Sequence, residues 1–466
     1  MDYPESGLLH ILCEWPILNK LQGDSMFQKF KRVDTPIIVI LVLLMVISVI
    51  IQYSAGQYWN GHGNDYKKTL IYYALGFIAI LGLTIVDFRV FIQNALYIYG
   101  GGILLLLLVF FFGQNLNNAQ GWLKIGELSL QPAEFFKLAL IIFLSYVLMR
   151  KRNSELRFIR DVLPIGFITF IPFAIVMAQN DLGNALAYLV ILIGMLWIGN
   201  IKSTHAMIAL VIFTVVVGGG IKAYMTFHEQ IYNFMVSIDR THWTDRLDPW
   251  LMPDEASAAA KWHTDNAKRA IASGGMLGEG FLNGSSVQSG RVPYTYSDSI
   301  FVVVAEEFGF IGSSVLLLLY FILIHRLILI ALECRDRTGP FLIVGIVAMM
   351  LYQIFENIGA FIGIMPLTGI TLPFVSYGGT SLLINMASMG LIMSIKVHGQ
   401  EVDDDLPDPV ARPRVQVLQD GGIAEEQPTG ISRWARSLRE SKPAKLIQSS
   451  KSPKDAKNSV SQKDSE

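Results

Sequence analysis

Cysteine and charge are both scarce in this chain. Only two cysteines, Cys13 and Cys334, occur in 466 residues, so neither a disulfide framework nor a cysteine metal cluster is expected. The eight histidines are scattered without a His-x-x-x-His pair, which argues against a zinc site. Charged residues make up 16% of the chain, where a soluble domain carries about a quarter, and that excludes a water-soluble globule. Net charge is −1, and no nucleic-acid partner is expected. Residues 1–34 lack the basic start, long apolar run and small-residue cleavage site of a signal peptide. Met26 offers an alternative start. No solenoid-type repeat and no soluble domain is visible.

What is present is apolar: 52% of residues are hydrophobic and the mean hydropathy is +0.45. Stretches of about 18 or more apolar residues recur, each long enough to cross a hydrocarbon core of ~30 Å as a helix. Helices are forced, because backbone groups in lipid must pair within their own segment. The expected fold is therefore an all-α polytopic membrane protein of about ten transmembrane helices. They fall near 35–52, 69–87, 92–113, 132–149, 162–179, 182–199, 206–223, 300–324, 340–362 and 380–397.

Lys and Arg in short loops favour the cytoplasm. The groups led by Lys29, Arg150, Lys202 and Arg326 all fall on one side if the count is ten, with Lys67 and Lys68 dissenting. Both termini are then cytoplasmic, and one large loop, 224–299, is extracytoplasmic between spans seven and eight. The expected organisation is a cytoplasmic segment 1–34, a membrane domain 35–397 and a disordered polar tail 398–466.

Several polar groups stand at the edges of these spans. Asp298 closes the long loop in Ser297-Asp298-Ser299, and Glu306 and Glu307 lie just inside span eight. Ionisable groups there are expensive and mark functional sites. The same Ser-Asp pair also suits a helix cap. Glu134 and Lys137, three apart, share a helix face and can pair. Asp181 suits the N-cap of span six. Glu306 suits an internal salt bridge, with Lys137 as the candidate partner. Trp122 suits a membrane-interface aromatic. The segment 365–381, which contains Ser376 and Tyr377, is too rich in Pro and Gly to continue a helix. At that depth it must pack in protein or line a cavity. The run 274–280 is glycine-rich but lacks the Gly-Lys-Ser/Thr of a nucleotide loop.

Taken in order, these segments resemble the family of cell-shape, division and sporulation membrane proteins (the SEDS family) that includes RodA, FtsW and SpoVE. The resemblance covers about residues 35–397 and rests on Gln131-Pro132-Ala133-Glu134 with Lys137, on Asp181-Leu182-Gly183, and on Asp298 followed by Ala305-Glu306-Glu307-Phe308-Gly309. Its longest part is Pro366-Leu367-Thr368-Gly369 through Ser376-Tyr377-Gly378-Gly379. The sequence near Asn357 to Gly369 is closer to the RodA-like branch. The chain departs from the family pattern at Gly121 (usually Arg), Asn180 (usually Pro), Glu279 (commonly Lys) and Ser299 (usually Phe).

The resemblance implies a peptidoglycan glycosyltransferase of the bacterial plasma membrane. It implies polymerisation of lipid II into glycan strands outside the membrane, beside a class B penicillin-binding transpeptidase and in contact with membrane lipid. Asp298 matches the essential loop acid and is the expected catalytic base. Trp122, Lys137, Glu134, Asp181, Glu306, Ser376 and Tyr377 fall on other motif positions and are expected to serve substrate binding. A leaving pyrophosphate calls for positive charge, for which Lys137, Arg246, Lys261, Arg269 and Arg291 are candidates, or for a divalent cation such as Mg or Mn. Two readings from other classes stand beside this one: a lipid II flippase, and a scaffold that only recruits the transpeptidase.

Overall fold

The computed structural model describes residues 32–399 except 59–61, 117–118, 126–127, 152–154 and 239, together with two short strands further on. The expected segment 1–34, with Met26, and the tail 398–466 lie almost wholly outside the described residues. Beyond residue 410, Gln416–Val417 pairs antiparallel with Ile423–Ala424.

Capping chemistry fixes where several helices begin. The Asp34 carboxylate accepts the Ile37 N–H at 3.3 Å and Pro36 sits in the first turn, which starts α1 (Thr35–Ala55). Helix α2 is Asp65–Ile85. The expected third span is split at Asn94 into α3 (Phe88–Gln93) and α4 (Ala95–Phe112). A three-stranded antiparallel meander follows: β1 (Gln114–Leu116), β2 (Ala119–Ile125) and β3 (Leu128–Leu130). Next come α5 (Pro132–Met149), α6 (Leu163–Ala178), α7 (Leu182–Ile198) and α8 (Ser203–Thr226).

The long loop is itself helical in four places: α9 (His228–Ser237), α10 (His242–Leu251), α11 (Ala258–Ser273) and α12 (Ser285–Gln288). The bundle closes with α13 (Ile300–Glu333), α14 (Thr338–Ile362) and α15 (Gly379–His398). Among the described residues nine helices are long and apolar enough to cross a membrane, and α7 is a tenth, shorter apolar helix. The chain is an all-α, multi-pass membrane protein.

Helices α5, α14 and α15 bury most of their length and form the centre. They approach closely through small residues, as bundles in lipid do. A Cβ added at Gly345 on α14 would stand 2.6 Å from Ile141 of α5, and one at Gly76 on α2 would stand 2.7 Å from Met386 of α15. Helix α8 is different: of its residues only Tyr224 is buried, so its apolar surface is left for lipid. At the bundle end away from the long loop, ion pairs tie the helices: Arg326 to Asp34 at 2.5 Å and Arg89 to Asp336 at 3.0 Å.

Candidate active site

Asp298 lies where the long loop re-enters the bundle. The N-cap of α13 is Ser299, and the Asp298 carboxylate is not used as the cap. Its backbone is fixed from two sides. Asn357 of α14 donates through Nδ2 to the Asp298 carbonyl at 2.8 Å and to the Ile370 carbonyl at 2.7 Å. Ser376 donates through Oγ to the Ser297 carbonyl at 2.7 Å and accepts the Leu372 N–H at 2.9 Å. The Tyr377 N–H reaches the Tyr296 carbonyl at 2.9 Å. Gly369, with φ +81°, presents its Cα face to the carboxylate: a Cβ there would stand 3.4 Å from Asp298 Oδ2. The Pro- and Gly-rich segment is thus packed in protein around the acid, as its depth required.

Burial pushes the Asp298 carboxyl up to about 6, while a hydrogen bond from Ser297 and the charge of Arg246 pull it the other way. At neutral pH it is ionised yet a far better proton acceptor than an exposed aspartate. A neutral imidazole lies close by: burial holds His263 down to about 4. Ser299 donates to the Pro293 carbonyl at 2.7 Å, which leaves the His263 Nε2–H, 2.8 Å away, to donate to Ser299. Serine where the family usually has Phe therefore makes a polar bolt in this chain.

A second carboxylate, Glu356 on α14, was missed in the sequence. It is 2% exposed, and it feels the charges of Asp298 and Arg246. Thr368 donates to Glu356 Oε1 from its backbone N–H at 3.2 Å and from its hydroxyl. The available signal was an ionisable residue inside an apolar run, Phe355-Glu356-Asn357.

The motif residues at the start of α5 and α7 form a neighbouring cluster. Lys137, fully buried, pairs with Glu134 at 2.8 Å, as their spacing indicated. Asp181 caps α7 through the Asn184 N–H at 3.1 Å and also accepts from Gln131 Nε2 at 2.7 Å. Trp122 sits half-buried on β2 opposite Gln114. Beside it, a Cβ at Gly121 would stand 3.9 Å from Asp181 Oδ2. Tyr352 of α14 joins the two clusters by donating to the Gly183 carbonyl at 3.0 Å.

One expectation is corrected. Glu306 does not pair with Lys137, which is taken by Glu134. Its carboxylate instead accepts the N–H groups of Ser286 at 2.7 Å and Val287 at 2.9 Å. An anion suits the exposed amides at the start of a helix. Glu307 accepts from Ser54, and Gln288 donates to Ser54 Oγ at 3.0 Å. Both glutamates therefore staple the loop to the bundle. Arg269 and Arg291 are exposed on the loop, and Lys261 is half-buried on α11.

The other departures are also built in. Asn180 has φ +64°, which proline cannot adopt, and its side-chain oxygen accepts from Arg240. Glu279 accepts the Ser285 N–H at 2.7 Å.

A bundle of this kind, with an ionised acid fenced at a loop mouth, defines a polytopic membrane protein with a chemically active face. Residues 33–401 match the FtsW/RodA/SpoVE family, described as cell cycle proteins, and the chain belongs to that family. It is similar to stage V sporulation protein E of Bacillus subtilis (strain 168), 32% identical over 374 residues, which covers 79% of this chain and 98% of that protein. It is also similar to peptidoglycan glycosyltransferase MrdB of Escherichia coli (strain K12), 31% identical over 369 residues, with 76% and 93% covered. Among solved structures, a peptidoglycan synthase complex described as coordinating polymerization and crosslinking matches with TM-score 0.65 at 24% identity, covering 79% of this chain and 99% of that one. The rod shape determining protein RodA of Thermus thermophilus matches with TM-score 0.56 at 24% identity, covering 79% and 98%. These two support the fold.

Proposed function

We propose that this protein is a peptidoglycan glycosyltransferase that polymerises lipid II into glycan strands at the outer face of the membrane, working beside a class B penicillin-binding transpeptidase. The observation that carries this reading is Asp298, whose backbone is fixed by Asn357 and, through the Ser297 carbonyl, by Ser376, and whose carboxylate faces Gly369 and is pushed by burial up to about 6. A sugar hydroxyl is a poor nucleophile at neutral pH, and a carboxylate within hydrogen-bond reach takes its proton as the new bond forms. In this reaction the acceptor's 4-hydroxyl attacks the donor's anomeric carbon, the lipid pyrophosphate leaves, and Asp298 receives the proton. The single displacement inverts the donor configuration and needs no covalent enzyme intermediate.

Relatives named peptidoglycan glycosyltransferase, such as MrdB and the RodA of Treponema pallidum (strain Nichols), support the assignment. The peptidoglycan synthase complex supports a transpeptidase partner. The segment from Asn357 to Gly369 favours the elongation branch. Among the described residues no three His, Cys, Asp or Glu side chains converge as a metal site. A divalent cation at the pyrophosphate would therefore be held mainly by phosphate oxygens and water, as Mg²⁺ commonly is.

The test is direct. Purified protein with its transpeptidase partner, given lipid II and no other polymerase, yields long glycan strands. Lipid II carried across liposomes without polymer favours a flippase, and neither activity favours a scaffold.

A further inference from the structure

Two cations of the long loop converge where the motifs do not point. Arg246 of α10 and Lys268 of α11 line one groove with Trp250, Thr264, Gly363 and Met365. Among the described residues neither cation has a hydrogen-bond or salt-bridge partner, although acids are plentiful in this loop. The groove is fixed rather than improvised. Trp250 donates from its indole to the Ile364 carbonyl at 2.9 Å, which sets the ring on the wall. Gly363, in the left-handed region at φ +87°, leaves the space that Lys268 fills: a Cβ there would stand 2.7 Å from Lys268 Cε and 2.9 Å from Nζ. The groove adjoins the acid, because the Arg246 charge reaches both Asp298 and Glu356.

We propose that the Arg246–Lys268 groove is an anion subsite that takes the diphosphate of the lipid-linked donor. This assignment rests on the polymerase reading. A guanidinium presents a planar fork to phosphate oxygens, and an ammonium adds a compact charge beside it. Seated there, the leaving diphosphate lies next to the base and its developing charge is offset as the glycosidic bond breaks. Arg269, Arg291 and Lys261 stand outside the groove and take no part. Lys137 is committed to Glu134 inside the bundle and takes none either. The positive charges missing at Gly121 on β2 and at Glu279 in the long loop are thereby compensated from α10 and α11.

Titration calorimetry of the purified full chain with inorganic pyrophosphate tests the subsite without requiring turnover. The wild type binds. Arg246→Gln and Lys268→Gln each weaken binding about tenfold, as expected for losing one charge-assisted hydrogen bond. Arg269→Gln binds within about twofold of wild type. A short oligoglutamate peptide at equal concentration does not displace pyrophosphate. Wild-type binding that survives both groove substitutions, or equal competition by the carboxylate peptide, overturns the diphosphate assignment. If the Arg246→Gln/Lys268→Gln double variant polymerises lipid II with wild-type kcat/KM, the subsite is wrong and the polymerase reading stands. If wild type binds pyrophosphate and both groove variants lose it, yet no polymer forms, the polymerase reading is wrong and an anion site remains.

Discussion

At the scale of single residues, the proposed chemistry depends on how Asp298 is held. Its elevated proton affinity fixes two pH dependences. As a base it works ionised, so kcat/KM for polymerisation falls as pH drops through about 6, and a pH–rate profile of the purified complex checks this. The stability dependence has the opposite cause. The carboxyl titrates at about 6 in the fold against 3.8 unfolded, so the folded state is penalised for the charge above pH 6 and the penalty is gone below 3.8. Asp298→Asn should therefore stabilise the protein at pH 8 by about 1–3 kcal/mol, allowing for partial exposure, with the gain vanishing near pH 4. Thermal unfolding at the two pH values measures it. The sequence marks Asp298 as an acid at a loop exit before a long apolar run, where a helix cap fits equally, and the family resemblance is what makes it the expected base. The i, i+3 pair of Glu134 and Lys137 was visible in its spacing. Glu356 stood in view as an ionisable residue inside an apolar run, but its role was not legible, since it depends on Thr368 and Asp298, which reach it only through the fold.

At the scale of elements, the long loop is held by carboxylates that grip backbone amides. Glu306 takes two N–H groups at the start of α12, each a charge-assisted hydrogen bond in a buried setting. Glu306→Ala should speed amide hydrogen exchange across 285–291 and lower stability by about 2–4 kcal/mol, leaving α5 and α15 protected. Exchange mass spectrometry reads both. No sequence pattern announces a carboxylate bonded to amides twenty residues earlier, which is why a side-chain partner, Lys137, looked reasonable for Glu306. Helix α13 carries a second device. Gly309 has φ +64° and ψ −158°, and a Cβ there would stand 2.4 Å from the Gly278 nitrogen. Gly309→Ala should cost about 2–4 kcal/mol by strain and collision, visible as a lowered thermal midpoint. Apolar length predicted the helices well, with α4 and α13 differing only at Asn94 and in extent. The β-meander had no such signal, being three short strands in a polar stretch.

At the scale of the whole molecule, the arrangement separates two ends. Ion pairs such as Arg326 with Asp34 and Arg89 with Asp336 knit one end, while the loop helices and the clusters around Asp298 and Asp181 occupy the other. An alternating-access transporter needs a site near the bilayer midplane open to each side in turn. Here Asp298 lies at the loop mouth, and the central helices α5, α14 and α15 are packed against one another. Asp298→Asn keeps the side chain's shape but removes its capacity to accept the sugar proton. Glycan synthesis from lipid II by the purified complex, compared between wild type and Asp298→Asn at pH 7.5, is the most direct measurement. Long strands from wild type and a loss of about 10²–10⁴-fold in the variant, with folding and partner binding intact, are the predicted result. Equal strand synthesis by the two proteins would contradict it.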